Sequence, residues 1–214
     1  MDYSRYYLNL EPYLTPGKVL VIFGPRQAGK TTLIQNYLKK TSFKYKFDSG
    51  DNSRTRNLFQ TQDFNLMKEY VESYQLIVID EAQRIPEIGW ALKILVDQIP
   101  EIRIIVTGSA SFELAGQVGE PLTGRKRSLI LYPLSNLELE FHFNRYELKE
   151  KLEEFLIYGM YPEVVSKDSK IEKQRALDEI VSSYLYKDIL ELERIKSSKT
   201  LAELLQKWLR SFKI

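Results

Sequence analysis

This sequence predicts a doubly wound parallel α/β sheet followed by a small all-helical domain. Three observations carry that expectation. Short runs rich in Val, Ile and Leu alternate with helical spacing through the first two thirds of the chain. A glycine-rich turn joins the first of these runs to a helix, and beyond Pro133 the strand pattern stops.

The runs at 19–23, 76–79, 102–106 and 129–132 are almost continuously apolar, as expected of parallel strands covered on both faces. Residues 43–47, Phe-Lys-Tyr-Lys-Phe, alternate apolar and basic side chains instead. That pattern suits a strand at the sheet margin, where lysines discourage mispairing. Ile88, Ala91, Leu92, Leu95, Val96 and Ile99 recur three and four apart and predict a connecting helix.

After Pro133, Ser135 and Glu138 have the spacing of a capping box, which starts a helix. Leu148, Leu152, Phe155 and Leu156 form another helical stripe, ended by Gly159 and Pro162. Two more stripes follow, Leu177, Ile180, Val181, Tyr184 and Leu185, then Leu201, Leu204, Leu205, Trp208, Leu209 and Phe212. The division expected is therefore an α/β core over 1–134 and a helical domain over 135–214. The last stripe runs to Ile214 with no Gly or Pro stop, the pattern of a chain that continues.

Composition narrows the chemistry. With 43% hydrophobic and 28% charged residues among 214, the chain is globular rather than disordered. It has no cysteine, so disulfides, thiolate metal sites and a Cys nucleophile are excluded. The single His142 argues against a histidine metal cluster or a Ser-His triad. A formal charge of +2 gives no support to a nucleic-acid partner, without excluding a local basic patch. The apolar runs fall far short of the roughly twenty residues needed to cross a bilayer. The first ten residues are polar and tyrosine-rich, unlike a signal peptide, so a cytoplasmic location is the expectation.

The chemistry is expected at the first turn. Gly24, Pro25, Arg26, Gln27, Ala28, Gly29, Lys30 and Thr31 match G-x-x-x-x-G-K-[ST], the phosphate-binding loop, or P-loop. Its glycines let backbone N–H groups face phosphate oxygens, and the following helix points its positive end at them. Lys30 is expected to reach the β- and γ-phosphates, the Thr31 hydroxyl to bind Mg²⁺, and Thr32 to sit near the α-phosphate. The variable position Arg26 is expected to point outward.

Asp80 and Glu81 end an apolar strand, where open α/β sheets place their ligands. Asp80 can complete the metal shell beside Thr31, and Glu81 can polarise an attacking water as general base. At the end of another strand, Ser109 or Thr107 can touch γ-phosphate and water, or cap the next helix. Arg125 is a candidate arginine finger, in cis or from a neighbouring subunit. The run 124–127 is otherwise a solvated basic segment, and Asp48 a turn residue.

Taken together, GPRQAGKTTL, LIVIDEAQRIPE, IIVTGSASFEL and PLTGR followed by LYPLS resemble a bacterial and archaeal family of AAA-type ATPases. FLIYGMYPEVV and SYLYKDILELERI are similar to signatures of that family's helical lid. The chain departs at Gly159-Met160-Tyr161-Pro162, where many relatives have two adjacent glycines. The resemblance implies ATP or ADP as ligand, a helical lid, and a further C-terminal domain of unassigned function, with self-association as the source of a trans arginine. It names no macromolecular partner. An N-K-x-D guanine motif is absent, and a small-molecule kinase would need no Glu81. A helicase also carries Asp-Glu-Ala-x, but its ATP site closes between two such domains. The rival from another class is a nucleotide-gated switch that binds ATP with little turnover.

Overall fold

The structure is a computed structural model that describes residues 3–109 and 119–181. Five strands, β1 (Val19–Phe23), β2 (Tyr45–Ser49), β3 (Leu76–Asp80), β4 (Arg103–Gly108) and β5 (Lys126–Ile130), form one sheet in the order β2-β3-β4-β1-β5. Every pairing is parallel. β1 and β3 are buried along their whole length, as their unbroken apolar sequence requires.

Alternation along β1 feeds two cores. Val19, Val21 and Phe23 join Ile77, Ile79, Ile104 and Val106 on one face. There they meet Phe59 of α2 (Ser53–Gln60), Met67 of α3 (Phe64–Val71) and Leu92 of α4 (Ile88–Gln98). Leu20 and Ile22 face the other way, onto Leu33, Ile34, Tyr37 and Leu38 of α1 (Lys30–Leu38). α4 buries the expected stripe of Ile88, Ala91, Leu92, Leu95 and Val96.

Two expectations shift. The margin strand is β2, but it starts two residues later than the alternating pattern suggests. β5 is the other margin, and it covers Lys126–Ile130 rather than 129–132. An edge strand needs one paired side only, so exposed Arg127 and Ser128 are tolerated in it.

Beyond β5 come α5 (Asn136–Leu139), α6 (Arg145–Glu150), α7 (Leu152–Tyr158), α8 (Pro162–Val165) and α9 (Lys170–Ile180). Capping boxes start α5, α6 and α9. The stripe of Leu148, Leu152, Phe155 and Leu156 is broken at Lys151 into α6 and α7, and only Phe155 is buried in α7, whereas Leu156 is 78% exposed. Gly159 ends α7 at φ 73°, a conformation that suits glycine. The two C-terminal stripes from Tyr184 onward lie outside the described residues.

Leu10 and Leu14 of the N-terminal segment pack between the sheet and α1, and its first residues pack against these helices. Tyr3 shares a cluster with Leu134, Leu139 and Phe155. Arg5 and Glu138, side chains only 7% and 5% exposed, pair at 3.1 Å, and the same carboxylate accepts the Tyr6 N–H at 2.8 Å. The Ser4 N–H donates to His142 Nε2 at 2.9 Å. Burial pulls the Arg5 guanidinium below its usual range, and the Glu138 charge pulls it partly back.

Removing one partner of such a pair strands the other charge in the interior. Glu138→Ala is expected to lower stability by about 3–5 kcal/mol in urea titration. The apolar double replacement Arg5→Met with Glu138→Leu is expected to recover most of that loss; a single variant as stable as the parent would contradict the account.

Candidate functional site

The parallel register brings three strand ends together. Phe23 pairs with Gly108, and Ile79 with Val106, so the residues after β1, β3 and β4 share one edge of the sheet. The phosphate loop leaves β1 there. Gly24, at φ 152°, passes so close to β5 that a Cβ would lie 2.1 Å from the Leu131 carbonyl oxygen. No other residue type fits this approach. Gly29, at φ 92°, is the N-cap of α1 and turns the chain into the helix.

Lys30 is buried, and its Nζ donates to the Gly24 and Pro25 carbonyls, each at 2.9 Å. The ammonium is thus held inside the loop, where a phosphate can be met by its charge. Gln27 adopts φ 60°, a left-handed conformation uncommon outside glycine. Ala28 is buried and Thr32 is exposed.

Asp80 is 8% exposed and receives a hydroxyl on each oxygen. Thr31 Oγ1 donates to Oδ2 at 2.8 Å, and Thr107 Oγ1 donates to Oδ1. Thr107 also accepts the Glu81 N–H at 3.0 Å. Its hydroxyl therefore ties both carboxylate residues to β4. The sequence offered Thr107 and Ser109 as equals; the register separates their jobs. Ser109, fully buried, lies one residue past Gly108 and so beside Gly24.

Glu81 takes φ 50° at the turn after β3, and Gln83 Nε2 donates to its Oε2 at 2.5 Å. Gly50 supports this turn from β2: its N–H donates to the Asp80 carbonyl at 2.8 Å, and a Cβ on it would fall 2.3 Å from the Glu81 carbonyl oxygen.

Two adjoining cavities open over the loop. The first, about 520 Å³, is lined by Lys30, Thr31, Glu81, Arg84, Asp51 and Glu163 among others, and Arg26 and Gln27 also border it. Arg26 thus turns to the cavity, not away from it. The second, about 340 Å³, lies between α1 and the N-terminal segment, with Tyr3, Leu8, Leu33 and Asn36 in its wall. Gly29, Thr32 and Pro162 belong to both. No local pattern marks the second cavity, because its walls come from segments far apart in the chain.

Arg125 is not brought to the loop of its own chain. Its carbonyl accepts the Val19 N–H at 2.8 Å, and Lys126 pairs with Val19, which places it at the start of β1. At about 3.3 Å per strand residue, the loop is then roughly 16 Å away at the other end of the sheet. The guanidinium is paired with Asp97 of α4. The cis finger is thereby corrected. Asp48 is also engaged elsewhere, accepting the Tyr70 hydroxyl at 2.6 Å; burial, and then this bond, push the Tyr70 pKa up.

Among the described residues no group of three or more His, Cys, Asp or Glu side chains is placed to hold a metal. The donors at Thr31 and Asp80 are a hydroxyl and a carboxylate, hard oxygen ligands of the kind Mg²⁺ takes when phosphates and water complete its shell. The residues present fit that ion. No helix of the described residues is long and apolar enough to cross a membrane.

Comparison with known proteins agrees with this geometry. An uncharacterized protein of Methanocaldococcus jannaschii is 28% identical over 206 residues, covering 89% of this chain and 46% of the relative. An uncharacterized protein of Mycobacterium tuberculosis is 38% identical over 108 residues, 50% of this chain and 23% of the relative. The chain thus spans less than half the length of these curated relatives. A chain from a structure of katanin self-assembly is 18% identical, with a TM-score of 0.38 over 54% of this chain and 41% of that one. A domain of unknown function matches residues 149–211. The family model described as an AAA domain matches residues 16–140, more than half of the 214 residues, and the chain belongs to that nucleotide-binding family.

Proposed function

We propose that the protein hydrolyses ATP with Mg²⁺ and couples turnover to movement of its helical region, with the domains divided near residue 134. The observation that carries this reading is the shared edge at which Lys30, Thr31, Asp80 and Glu81 line or support one cavity. Lys30 and the N–H groups of the loop bind the phosphates, and the adenine enters the adjoining cavity between α1 and the N-terminal segment. Bound Mg²⁺ supplies charge neutralisation between the phosphates. Thr31 and Asp80 are the residues that would hold it. Glu81 takes the proton of the attacking water, and Ser109 beside Gly24 contacts the terminal phosphate or that water.

Pro162 and Glu163 at the start of α8 border the phosphate cavity, so occupancy can be felt by the helices. The N-terminal segment adds a second link, since it walls the base cavity and is pinned to Glu138 and His142. Arg125 can serve only another copy of the chain, as a finger given in trans.

The rival reading, a nucleotide-gated switch with little turnover, draws on the Gln83 bond to Glu81, which occupies one oxygen of the proposed base. Variants separate the two. Lys30→Ala is expected to abolish nucleotide binding or turnover; unchanged affinity together with unchanged rate would remove the loop from the mechanism. Glu81→Gln is expected to retain binding and lower hydrolysis by ~10²–10⁴. Normal hydrolysis by that variant would exclude Glu81 as base. For Arg125→Ala, turnover is measured across protein concentration. A deficit confined to high concentration is the expected result, and no deficit at any concentration would rule out the finger.

A further inference from the structure

The phosphate cavity contains a cation that the proposed reaction leaves without a task. Arg84 lies on the turn after β3, and its backbone N–H donates to the Glu81 carbonyl at 3.0 Å. Its side chain and that of Glu81 therefore rise from one short turn, and both line the cavity with Lys30 and Thr31. Across the rim, Arg84 Nε stands 3.6 Å from Asp51 Oδ1, with the two side chains 33% and 68% exposed.

The backbones on both sides of this pair are fixed. Asp51 follows Gly50, which is bonded to the Asp80 carbonyl at 2.8 Å and packed against the Glu81 carbonyl. The side-chain contact between them, by contrast, is long, and its Asp51 end faces solvent. Ion pairs of that kind are weak. A triphosphate entering the cavity offers a denser negative charge, and a guanidinium matches phosphate oxygens with two parallel donors.

We infer that Arg84 is a ligand of the γ-phosphate supplied in cis, passing from Asp51 to the terminal phosphate when ATP binds. The inference rests on the phosphate-site reading above. In the reaction, the water oxygen forms a bond to the γ-phosphorus as the bond to the β–γ bridging oxygen breaks. ADP leaves with that electron pair, and the water proton passes to Glu81. Arg84 exchanges no proton; it balances the charge that gathers on the transferred phosphoryl oxygens. Arg125 of the same chain lies at the other end of the sheet and cannot take this part.

The test compares binding of ADP and of a non-hydrolysable ATP analogue, with kcat and KM for ATP, in the parent and in Arg84→Ala, Arg84→Lys, Asp51→Asn and Lys30→Ala. Arg84→Ala is expected to weaken the ATP analogue ~10-fold, leave ADP binding as it was, and lower kcat by ~10² or more. Arg84→Lys is expected to recover analogue binding better than kcat, because a point charge lacks the paired donors. Asp51→Asn is expected to tighten the analogue relative to ADP. ADP binding doubles as the check that the Arg84 and Asp51 variants are folded, and circular dichroism supplies that check for Lys30→Ala. If Arg84→Ala keeps the parent's analogue-to-ADP ratio and kcat, or weakens both nucleotides alike, Arg84 is not a γ-phosphate ligand. Loss of both nucleotides in Lys30→Ala shows that the site itself stands in that case. Retention of both nucleotides together with the parent's kcat in Lys30→Ala overturns the phosphate site and this inference together.

Discussion

The carboxylate of Asp80 is the group on which the rest of the site depends. It is nearly excluded from water, and an ionised carboxylate there is tolerable only if its lone pairs are met. Thr31 meets one oxygen from the start of α1, and Thr107 meets the other from the end of β4. The backbone carbonyl of the same residue is met by Gly50 at the end of β2. One side chain and its peptide thus join the phosphate loop, the central strands and the margin of the sheet. The parallel architecture is what makes this possible, since only parallel strands deliver several C-terminal ends to one edge.

A second constraint acts farther out. Of the residues before β1, Leu10 and Leu14 pack into the core between the sheet and α1, while Tyr3, Ser4, Arg5 and Leu8 run along the second cavity and the first of them bind the helices that follow β5. Their anchor is a buried ion pair, Arg5 with Glu138, in which Glu138 also closes the cap of α5. A pair of that type gives less net stability than its contact suggests, but it fixes a single arrangement of the groups it joins. The second cavity, the N-terminal segment and the helical region are therefore one connected piece of structure. Pro162 borders both cavities.

Much of this was legible in the chain, and the limits have physical causes. β1 is found where its sequence places it, and β3 ends one residue later at Asp80, because strands buried on both faces must be apolar throughout. β2 and β5 were displaced by two or three residues, because a margin strand carries charged residues without penalty and its pattern blurs. The phosphate loop was readable because its chemistry lies in eight consecutive residues. Asp80 and Glu81 were readable because a strand end marks them. The division of labour between Thr107 and Ser109 was not, since it depends on the register of β4 against β1 and β3. Strand direction also decides Arg125, whose neighbourhood in sequence says nothing of which end of the sheet it occupies. Arg84 with Asp51, and Arg5 with Glu138, are meetings of distant segments, and no local spacing announces them.

We propose that this edge of the sheet performs repeated hydrolysis. Phosphate released per chain, followed with ATP and Mg²⁺ in large excess over protein, tests it most directly. Repeated hydrolysis gives a linear release that passes many phosphates per chain and stops when Mg²⁺ is chelated. Release that halts at or below one phosphate per chain, with ATP still bound, would contradict it and leave a binding switch in its place.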